Sequence, residues 1–289
     1  MSTAALAIDE LIPPATRSLI AAYLLECERR ALRRSTVVAY QSKLVGFARS
    51  FSPGEIVDAG RGEIDGFLDR RRLLPKTRYA WLSTLHGFFE WAVLEGHAPA
   101  DPTVRIRRPR SPRVVPRPIR DEDLFDALAG APSELRAMIT LAAFQGLRCR
   151  EIATLFRDDI LDRNDPPVLI VANGKGGHQR VLPLHAAIMP ALRLAGLPRS
   201  GHVFTRSRGG PYPPANISRM IAVYFDDLGI DATAHQLRHW FGTKTYKACS
   251  DLRVVQELMG HSSPSTTAMY TAYSQAGARD AVNALTVSR

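Results

Sequence analysis

Residues 98–120 read APADPTVRIRRPRSPRVVPRPIR, a stretch that combines many prolines with many arginines. Its six prolines exclude a helix or a central strand, because proline has no backbone N–H to donate and its ring fixes φ. Seven arginines and one aspartate give it a charge of +6 out of +10 for the whole chain. This composition predicts an extended, basic, semi-rigid linker between two domains, and arginine without lysine suits contact with phosphate groups.

The chain before the linker, residues 16–97, has the apolar spacing of helices. Ser35 is a plausible N-cap, and Pro75 can open a long helix that ends near Gly96. This last helix carries an apolar stripe typical of a core-facing surface: Trp81, Leu85, Phe88, Phe89 and Ala92. The pattern predicts a small domain of four helices with a basic face.

The chain after the linker changes from helical patterns over 121–156 to two β-rich runs, PVLIVA and HQRVLPL. The runs flank NGKGG, residues 173–177, and a short glycine-rich connection between two such runs indicates a β-hairpin. Helical patterns resume at about residue 184 and continue to the end. The predicted fold class is therefore mainly α with a small antiparallel β-sheet, in two domains.

The composition of the whole chain favours a soluble protein with a polyanionic partner. The net charge is +10, and no apolar run approaches the ~20 residues that cross a bilayer. The start of the chain lacks the pattern of a signal peptide, so we expect a cytoplasmic protein. The three cysteines, Cys27, Cys149 and Cys249, form no CxxC pair, and we expect them to be buried small side chains.

Lys175 lies at the tip of the predicted hairpin, between two glycines that let a ligand come close. The stretch is not a phosphate-binding P-loop, because Lys175 is followed by glycine and the connection joins two strands. Taken alone, this residue is compatible with an ordinary solvated lysine in a turn.

The stretch TAHQLRHWFG, residues 233–242, predicts the start of a helix, because Thr233 and Gln236 fit a capping box. His235 and Arg238 then share one face near the helix N-terminus, which makes an anion site. His239 raises a metal alternative, but a zinc site of the HExxH type needs glutamate where this chain has Gln236.

Two further stretches carry candidate residues. In QGLRCREIATL, residues 145–155, Arg148 begins a helix after Gly146, and Glu151 follows at the distance of a surface ion pair. In GHSSPSTTAMYTAY, residues 260–273, His261 precedes a predicted helix that carries Tyr270 and Tyr273 on one face. Helix geometry does not choose between these two tyrosines.

These candidates together are cationic or phenolic, with no carboxylate cluster that would hold a metal ion. Such a set suits transfer of a phosphodiester by a side-chain nucleophile, with the phosphate charge met by arginine and histidine. A tyrosine hydroxyl has a pKa near 10 and needs cationic neighbours or a base to attack at neutral pH.

The order of the motifs GLRCREIATL, GKGGHQRVLPL, HQLRHWFGT and DLRVVQELMGHSSPSTTAMYTAY resembles the tyrosine site-specific recombinases, the phage integrase and Xer class. The resemblance covers residues 120–275, and the N-terminal half matches the family's core-binding half more loosely. It implies a flexible N-terminus at 1–15, a helical, SAM-like core-binding domain at 16–97, the linker at 98–119, and a catalytic α+β domain at 120–289. The C-terminal segment 275–289 would dock on a neighbouring subunit or on its own.

The resemblance also implies roles for the matching residues. Tyr270 corresponds to the nucleophile that forms a 3′-phosphotyrosyl bond, and Tyr273 to a structural residue. Lys175 would protonate the leaving 5′-hydroxyl, and Glu151 would support the site. The remaining catalytic positions would hold the phosphate or assist proton transfer: Arg148, His235, Arg238 and His261. We expect phosphate contacts from the linker arginines Arg105, Arg107, Arg108, Arg110, Arg113 and Arg117.

The family's chemistry implies no cofactor and no metal, because the bond energy is kept in the phosphotyrosine. The implied partners are double-stranded DNA and three further copies of the chain in a tetramer on DNA. The resemblance also allows an accessory DNA-bending or directionality factor. The expected function is site-specific recombination in the cytoplasm of a bacterium, by a bacterial or a phage protein. Two alternatives stay open: a sequence-specific DNA-binding protein that has kept the fold but lost catalysis, and a nicking-resealing enzyme similar to type IB topoisomerases, which shares the chemistry and differs in assembly.

Overall fold

The computed structural model describes residues 11–109, 117–171 and 179–260 of the chain. The chain divides into two compact units, Met1–Arg113 and Val114–Arg289. Within the described ranges, no helix is both long enough and apolar enough to cross a membrane.

The first unit is built from helices joined by short turns. Its described helices are α1 (Pro14–Arg29), α2 (Arg34–Phe51), α3 (Arg61–Arg70) and α4 (Pro75–Leu94). Pro75 occupies the first turn of α4 as predicted, and the helix ends just before Gly96, whose φ is +74°. The predicted cap at Ser35 is wrong, because the N-cap residue of α2 is Arg33 and its carbonyl already accepts from Thr36.

The core of the first unit confirms the predicted stripe on α4. Leu85, Phe88, Phe89 and Ala92 are fully buried, and Trp81 packs against the same cluster. The ring of Tyr23 on α1 meets Phe88 edge-on, with 5.5 Å between centroids. Aromatic rings therefore supply much of the apolar area that this small unit buries.

Buried residues of the first unit extend into both segments that the sequence pattern predicts to be flexible or extended. The proline content predicts an extended linker from residue 98, but Ala98 and Ile106 are buried, and Ile106 joins the core of this unit. Asp101 accepts from the backbone N–H of Thr103 at 2.8 Å and closes a turn. At the other end, Ile12 is 1% exposed although residues 1–15 are predicted to be flexible. Burial of these two isoleucines is the physical reason for both differences.

The second unit combines helices with one small sheet. Its described helices are α5 (Asp121–Gly130), α6 (Ser133–Phe144), α7 (Cys149–Ala153), α8 (Ile188–Leu194), α9 (Pro214–Asp227), α10 (Ala234–Cys249) and α11 (Leu252–Met259). The strands β1 (Ile160–Leu161), β2 (Val168–Val171) and β3 (Arg180–Pro183) form an antiparallel sheet in the order β1-β2-β3. The predicted fold class, mainly α with a small antiparallel sheet, is confirmed.

The predicted hairpin is formed by β2 and β3, with Leu169 paired to Leu182. In the described part of the chain, β2 ends at Val171 and β3 begins at Arg180. Residues 172–178, including Lys175, lie outside the described part of the chain.

Helix α6 forms the centre of the second unit. Its residues from Ala137 to Ala143 are all buried, as expected of a helix covered on every side. The residue after this helix, Gln145, is also buried and donates from Nε2 to the carbonyl of Pro183 on β3 at 2.7 Å. The chain therefore leaves α6 deep inside the unit, next to the sheet, and the turn that follows carries the first candidate site residue.

The three cysteines differ in exposure. Cys27 is buried and Cys149 is partly buried, but Cys249 is exposed. The prediction that all three are buried is wrong for Cys249, because it occupies the last position of α10, where the helix ends at the surface.

Candidate active site

The turn between α6 and α7 is built on Gly146. Its φ is +62°, a left-handed conformation that side chains disfavour. The turn places Arg148 at the N-cap of α7, where its backbone N–H donates to Oε2 of Glu151 at 2.9 Å. Two of the predicted site residues are therefore held together by local helix capping.

The carboxylate of Glu151 is the centre of a cluster of arginines. Nη1 of Arg148 lies 2.8 Å from Oε1 of Glu151, and Nη1 of Arg238 lies 3.9 Å from Oε2. Arg180 on β3 makes two parallel hydrogen bonds of 2.9 Å to the same two oxygens. The side chain of Glu151 is only 3% exposed, so the expectation of a surface Arg–Glu pair is wrong: this is a buried ion cluster.

Burial of Glu151 disfavours its charged form and by itself would raise the pKa of the carboxyl. The hydrogen bonds and charge of Arg180, the charge of Arg238 and the backbone N–H of Arg148 outweigh this effect. They lower the pKa of Glu151 from 4.5 to about 2, so the group is ionised at any physiological pH.

Arg238 is carried by α10, which begins with the predicted capping box. The backbone N–H of Thr233 donates to Oε1 of Gln236 at 2.6 Å. The side chain of Arg238 is 2% exposed, and its two terminal nitrogens donate to the carbonyls of Gly146 and Met259. The guanidinium of Arg238 is thus hydrogen-bonded to the turn before α7 and to the end of α11.

The C-terminal end of α11 is held by all three arginines of the cluster. Nε of Arg180 donates to the carbonyl of Leu258 at 3.0 Å, and Nη2 of Arg148 to that of Gly260 at 3.2 Å. The carbonyl between them, that of Met259, accepts from Arg238. The last carbonyls of a helix lack partners within the helix and carry partial negative charge, so cations are favourable there.

His235 is exposed in the first turn of α10, with its ring centroid 4.3 Å from that of His239. Burial, followed by the charges of His235 and Arg238, lowers the pKa of His239 from 6.5 to about 4. His239 is therefore neutral at pH 7. In the described ranges, no group of three or more His, Cys, Asp or Glu side chains could hold a metal ion.

The structure thus brings together Arg148, Glu151 and Arg238 and places His235 on the helix of Arg238. Three predicted catalytic residues lie outside the described residues: Lys175, His261 and Tyr270. Four of the linker arginines are exposed, namely Arg105, Arg107, Arg108 and Arg117, and the other two, Arg110 and Arg113, also lie outside the described residues.

Sequence reasoning missed Arg180. The alternation of side chains along β3 could have indicated it. In the strand Arg180–Pro183, residues 180 and 182 share a face, and Leu182 is 1% exposed. An arginine on the core-facing side of a strand needs an acidic partner, and Glu151 is that partner.

Three arginines around one carboxylate leave a local charge of +2 (three positive groups and one negative). Arg148 has the most exposed side chain of the three, at 26%. The cluster can therefore bind an anion such as a phosphate at the edge of Arg148, with the field of the buried guanidinium groups behind it.

Comparison with known proteins identifies the family of the chain. The model of the phage integrase family matches residues 121–276. Tyrosine recombinase XerC of Xylella fastidiosa (strain M23) is 31% identical over 260 residues, which cover 84% of this chain and 87% of that protein. Tyrosine recombinase XerD of Caulobacter vibrioides is 30% identical over 269 residues, with 84% and 87% covered.

A solved structure shares the fold. A lambda integrase tetramer bound to a Holliday junction superposes with a TM-score of 0.71 at 22% identity, over 88% of this chain and 76% of that one. The family match extends over the α5–α11 unit that holds the arginine cluster, and the curated relatives are matched over most of their length. The chain belongs to the phage integrase family and is a tyrosine site-specific recombinase.

Proposed function

We propose that the second unit cleaves and rejoins DNA through a covalent bond to Tyr270, while the charges of Arg148 and Arg238 stabilise the scissile phosphate. The observation that carries the proposal is the Glu151 carboxylate, which gathers guanidinium groups from positions 148 and 238 into one cluster. A cluster with charge +2 suits a pentacoordinate phosphate in the transition state.

In the proposed step, Oη of Tyr270 attacks the phosphorus of the scissile phosphodiester. A Tyr–O–P bond forms, the bond from phosphorus to the 5′-oxygen breaks, and the 3′-phosphate stays on the protein. The phenolic proton leaves with assistance from His235, and Lys175 donates a proton to the departing 5′-oxygen. The 5′-hydroxyl of another strand then reverses the step, so the sequence of reactions consumes no external energy.

The roles of the arginines follow from their exposure. Arg148 has an exposed edge and would donate to the non-bridging oxygens, while Arg238 is buried and would act mainly through its charge and its hold on the backbone. His261 would complete the phosphate contacts, because it directly follows Gly260, whose carbonyl accepts from Arg148. Glu151 orients the arginines and does not take part in proton transfer, since its pKa is about 2.

We further propose that the helical unit is the core-binding half and that duplex DNA is the substrate. The exposed arginines at 105, 107, 108 and 117 would contact the phosphate backbone on either side of the undescribed residues 110–116. By analogy with the lambda integrase tetramer on a Holliday junction, four copies would assemble on two DNA duplexes. Access to bacterial or phage DNA would place this activity in the cytoplasm, and an accessory DNA-bending factor could assist assembly.

The decisive experiment uses a DNA suicide substrate that carries a nick next to the cleavage site. The short product diffuses away, so a covalent protein–DNA adduct accumulates and is visible on a denaturing gel. We expect wild-type protein to form the adduct in the presence of EDTA. Tyr270→Phe should abolish the adduct, and Tyr273→Phe, the matched control on the same face of the predicted helix, should retain it.

The same assay separates the proposed recombinase from its alternatives. A silent DNA-binding protein would bind the substrate without forming an adduct. An enzyme that only nicks and reseals would form the adduct and relax supercoiled DNA, but would not join strands from two labelled duplexes. Persistence of the adduct in Tyr270→Phe would overturn the choice of nucleophile.

A further inference from the structure

We propose that Arg180 is a positioning residue for Arg148 and Arg238. Its positive charge balances the negative charge of Glu151, so this carboxylate can orient the two other arginines without cancelling their charge. The proposal rests on the proposed function, since it assigns Arg180 to the same site. It adds a residue on β3 that acts through Glu151 and does not itself contact the phosphate.

The guanidinium of Arg180 is directed at the carboxylate of Glu151. Nη1 and Nη2 each lie 2.9 Å from one oxygen of Glu151, which is the two-point contact that a planar guanidinium makes with a carboxylate. Its third donor group, Nε, is 3.0 Å from the carbonyl of Leu258. The side chain is 10% exposed, so its donors are directed at protein groups and not at solvent.

Electrostatics explains why the site contains a third arginine. Arg148 and Arg238 repel each other, and the single negative charge of Glu151 between them offsets this repulsion. Without Arg180, these two arginines and one carboxylate would have a local charge of only +1. Glu151 would also lose the partner that contributes most to keeping it ionised in a buried position. With Arg180 present, the three arginines and Glu151 together carry a charge of +2, and Glu151 still orients Arg148 and Arg238.

Arg180 also connects the cluster to the segment that carries the proposed nucleophile. It bonds to Leu258 at the end of α11, and its side chain runs against Gly260, where an added Cβ would lie 3.0 Å from Nη1 of Arg180. Gly260 has a φ of +57° and directly precedes His261. The chain therefore leaves α11 in a left-handed conformation at the residue against which the Arg180 side chain packs.

The test compares two variants of Arg180 with two variants of a control arginine. Arg180→Lys keeps the charge but loses the two-point contact, and Arg180→Gln loses both. Arg157 is the matched control, because it lies in the same unit, pairs with Asp162 at 2.8 Å and donates to the carbonyl of Ile160, but does not contact the cluster. Each variant is assayed for DNA affinity, for the single-turnover rate of adduct formation, and for folding by circular dichroism.

We expect both Arg180 variants to bind DNA with nearly wild-type affinity and to form the adduct about a hundred-fold more slowly, because small misplacements of catalytic groups cost about this much. The Arg157 variants should cleave at the wild-type rate. Because Arg180 acts through Glu151, adding Arg180→Gln to a Glu151→Gln protein should lower the rate of adduct formation by less than about three-fold. If Arg180→Gln does not fold, Arg180→Lys alone decides the comparison at a temperature where it is folded.

Three outcomes would overturn the proposal. The first is a folded Arg180→Lys protein that cleaves as fast as Arg157→Lys. The second is that Arg180→Gln slows adduct formation equally in the wild-type protein and in Glu151→Gln, which would mean that Arg180 acts independently of Glu151. The third is a loss confined to DNA affinity. Failure of the wild-type protein to form any adduct would instead overturn the proposed function on which this inference rests.

Discussion

Gly146 and Phe241 are in such close contact that no side chain fits between them. A Cβ built on Gly146 would lie 2.4 Å from Cδ1 of the Phe241 ring. The same glycine has a φ of +62°, and its carbonyl accepts a hydrogen bond from the buried guanidinium of Arg238. The turn that presents Arg148 is therefore sterically tied to the helix that carries Arg238.

Gly146→Ala should destabilise the protein by about 3 kcal/mol, because strain at positive φ adds to a clash with an aromatic ring. Gly229→Ala is the matched control, since Gly229 has a φ of +67° and nothing lies within 4 Å of an added Cβ. This control should lose only about 1 kcal/mol. Urea denaturation measures both values, and equal losses would contradict a role for the contact with Phe241.

Glu151→Gln should lower the free energy of unfolding at pH 7 by about 3 kcal/mol, because it leaves buried arginines without their counter-ion. The folded-state pKa of Glu151 is about 2 and its ordinary value is 4.5. The folded state thus holds the ionised form more tightly. This contribution is complete above pH 4.5 and is lost as the pH falls towards 2.

The measurement is the difference in unfolding free energy between wild type and Glu151→Gln at pH 7, 4 and 3. We expect the difference to shrink below pH 4.5, where the wild-type protein loses this contribution. Glu90→Gln is the control on an exposed face of α4 and should differ little from wild type at each pH. A difference that is constant with pH would contradict the assignment.

His239 should produce a second, separate pH dependence. Burial lowers its pKa from 6.5 to about 4 in the folded state. The unfolded chain therefore binds this proton first, and stability falls as the pH decreases from 6.5 towards 4. His239→Gln should flatten the stability profile in this window. Urea unfolding at pH 7 and pH 5 tests this, and an unchanged slope would contradict it.

The exposed arginines at 105, 107 and 108 should determine part of the salt dependence of DNA binding. If each contacts one phosphate, replacing all three by glutamine should lower the slope of log K against log salt by about 3. Arg29→Gln is the control, because Arg29 is exposed on α1 and lies beside Glu26. Titrations at several salt concentrations give the slope, and a slope equal to that of wild type would exclude these contacts.

Local patterns in the sequence predicted the features that depend on neighbouring residues. Pro75 and Gly96 mark the two ends of α4, and the capping box of Thr233 and Gln236 marks the start of α10, because proline geometry and helix capping act within a few residues. Two β-rich runs on either side of a glycine-rich stretch likewise predicted the hairpin of β2 and β3. The order of four motifs indicated the family.

By itself, the sequence determined the helical character of the first unit, the hairpin of β2 and β3, the helices that carry Arg148, Glu151 and Arg238, and the family to which the chain belongs. Only the tertiary structure decided that Glu151 is buried among three arginines, that Arg180 is one of them, and that the carbonyls of Leu258, Met259 and Gly260 each accept from a different arginine. The physical reason is the distance along the chain over which each interaction acts. Capping and periodicity act over one or two turns, whereas a buried carboxylate selects its partners from whichever cations the packing of α7, β3, α10 and α11 brings within hydrogen-bonding distance.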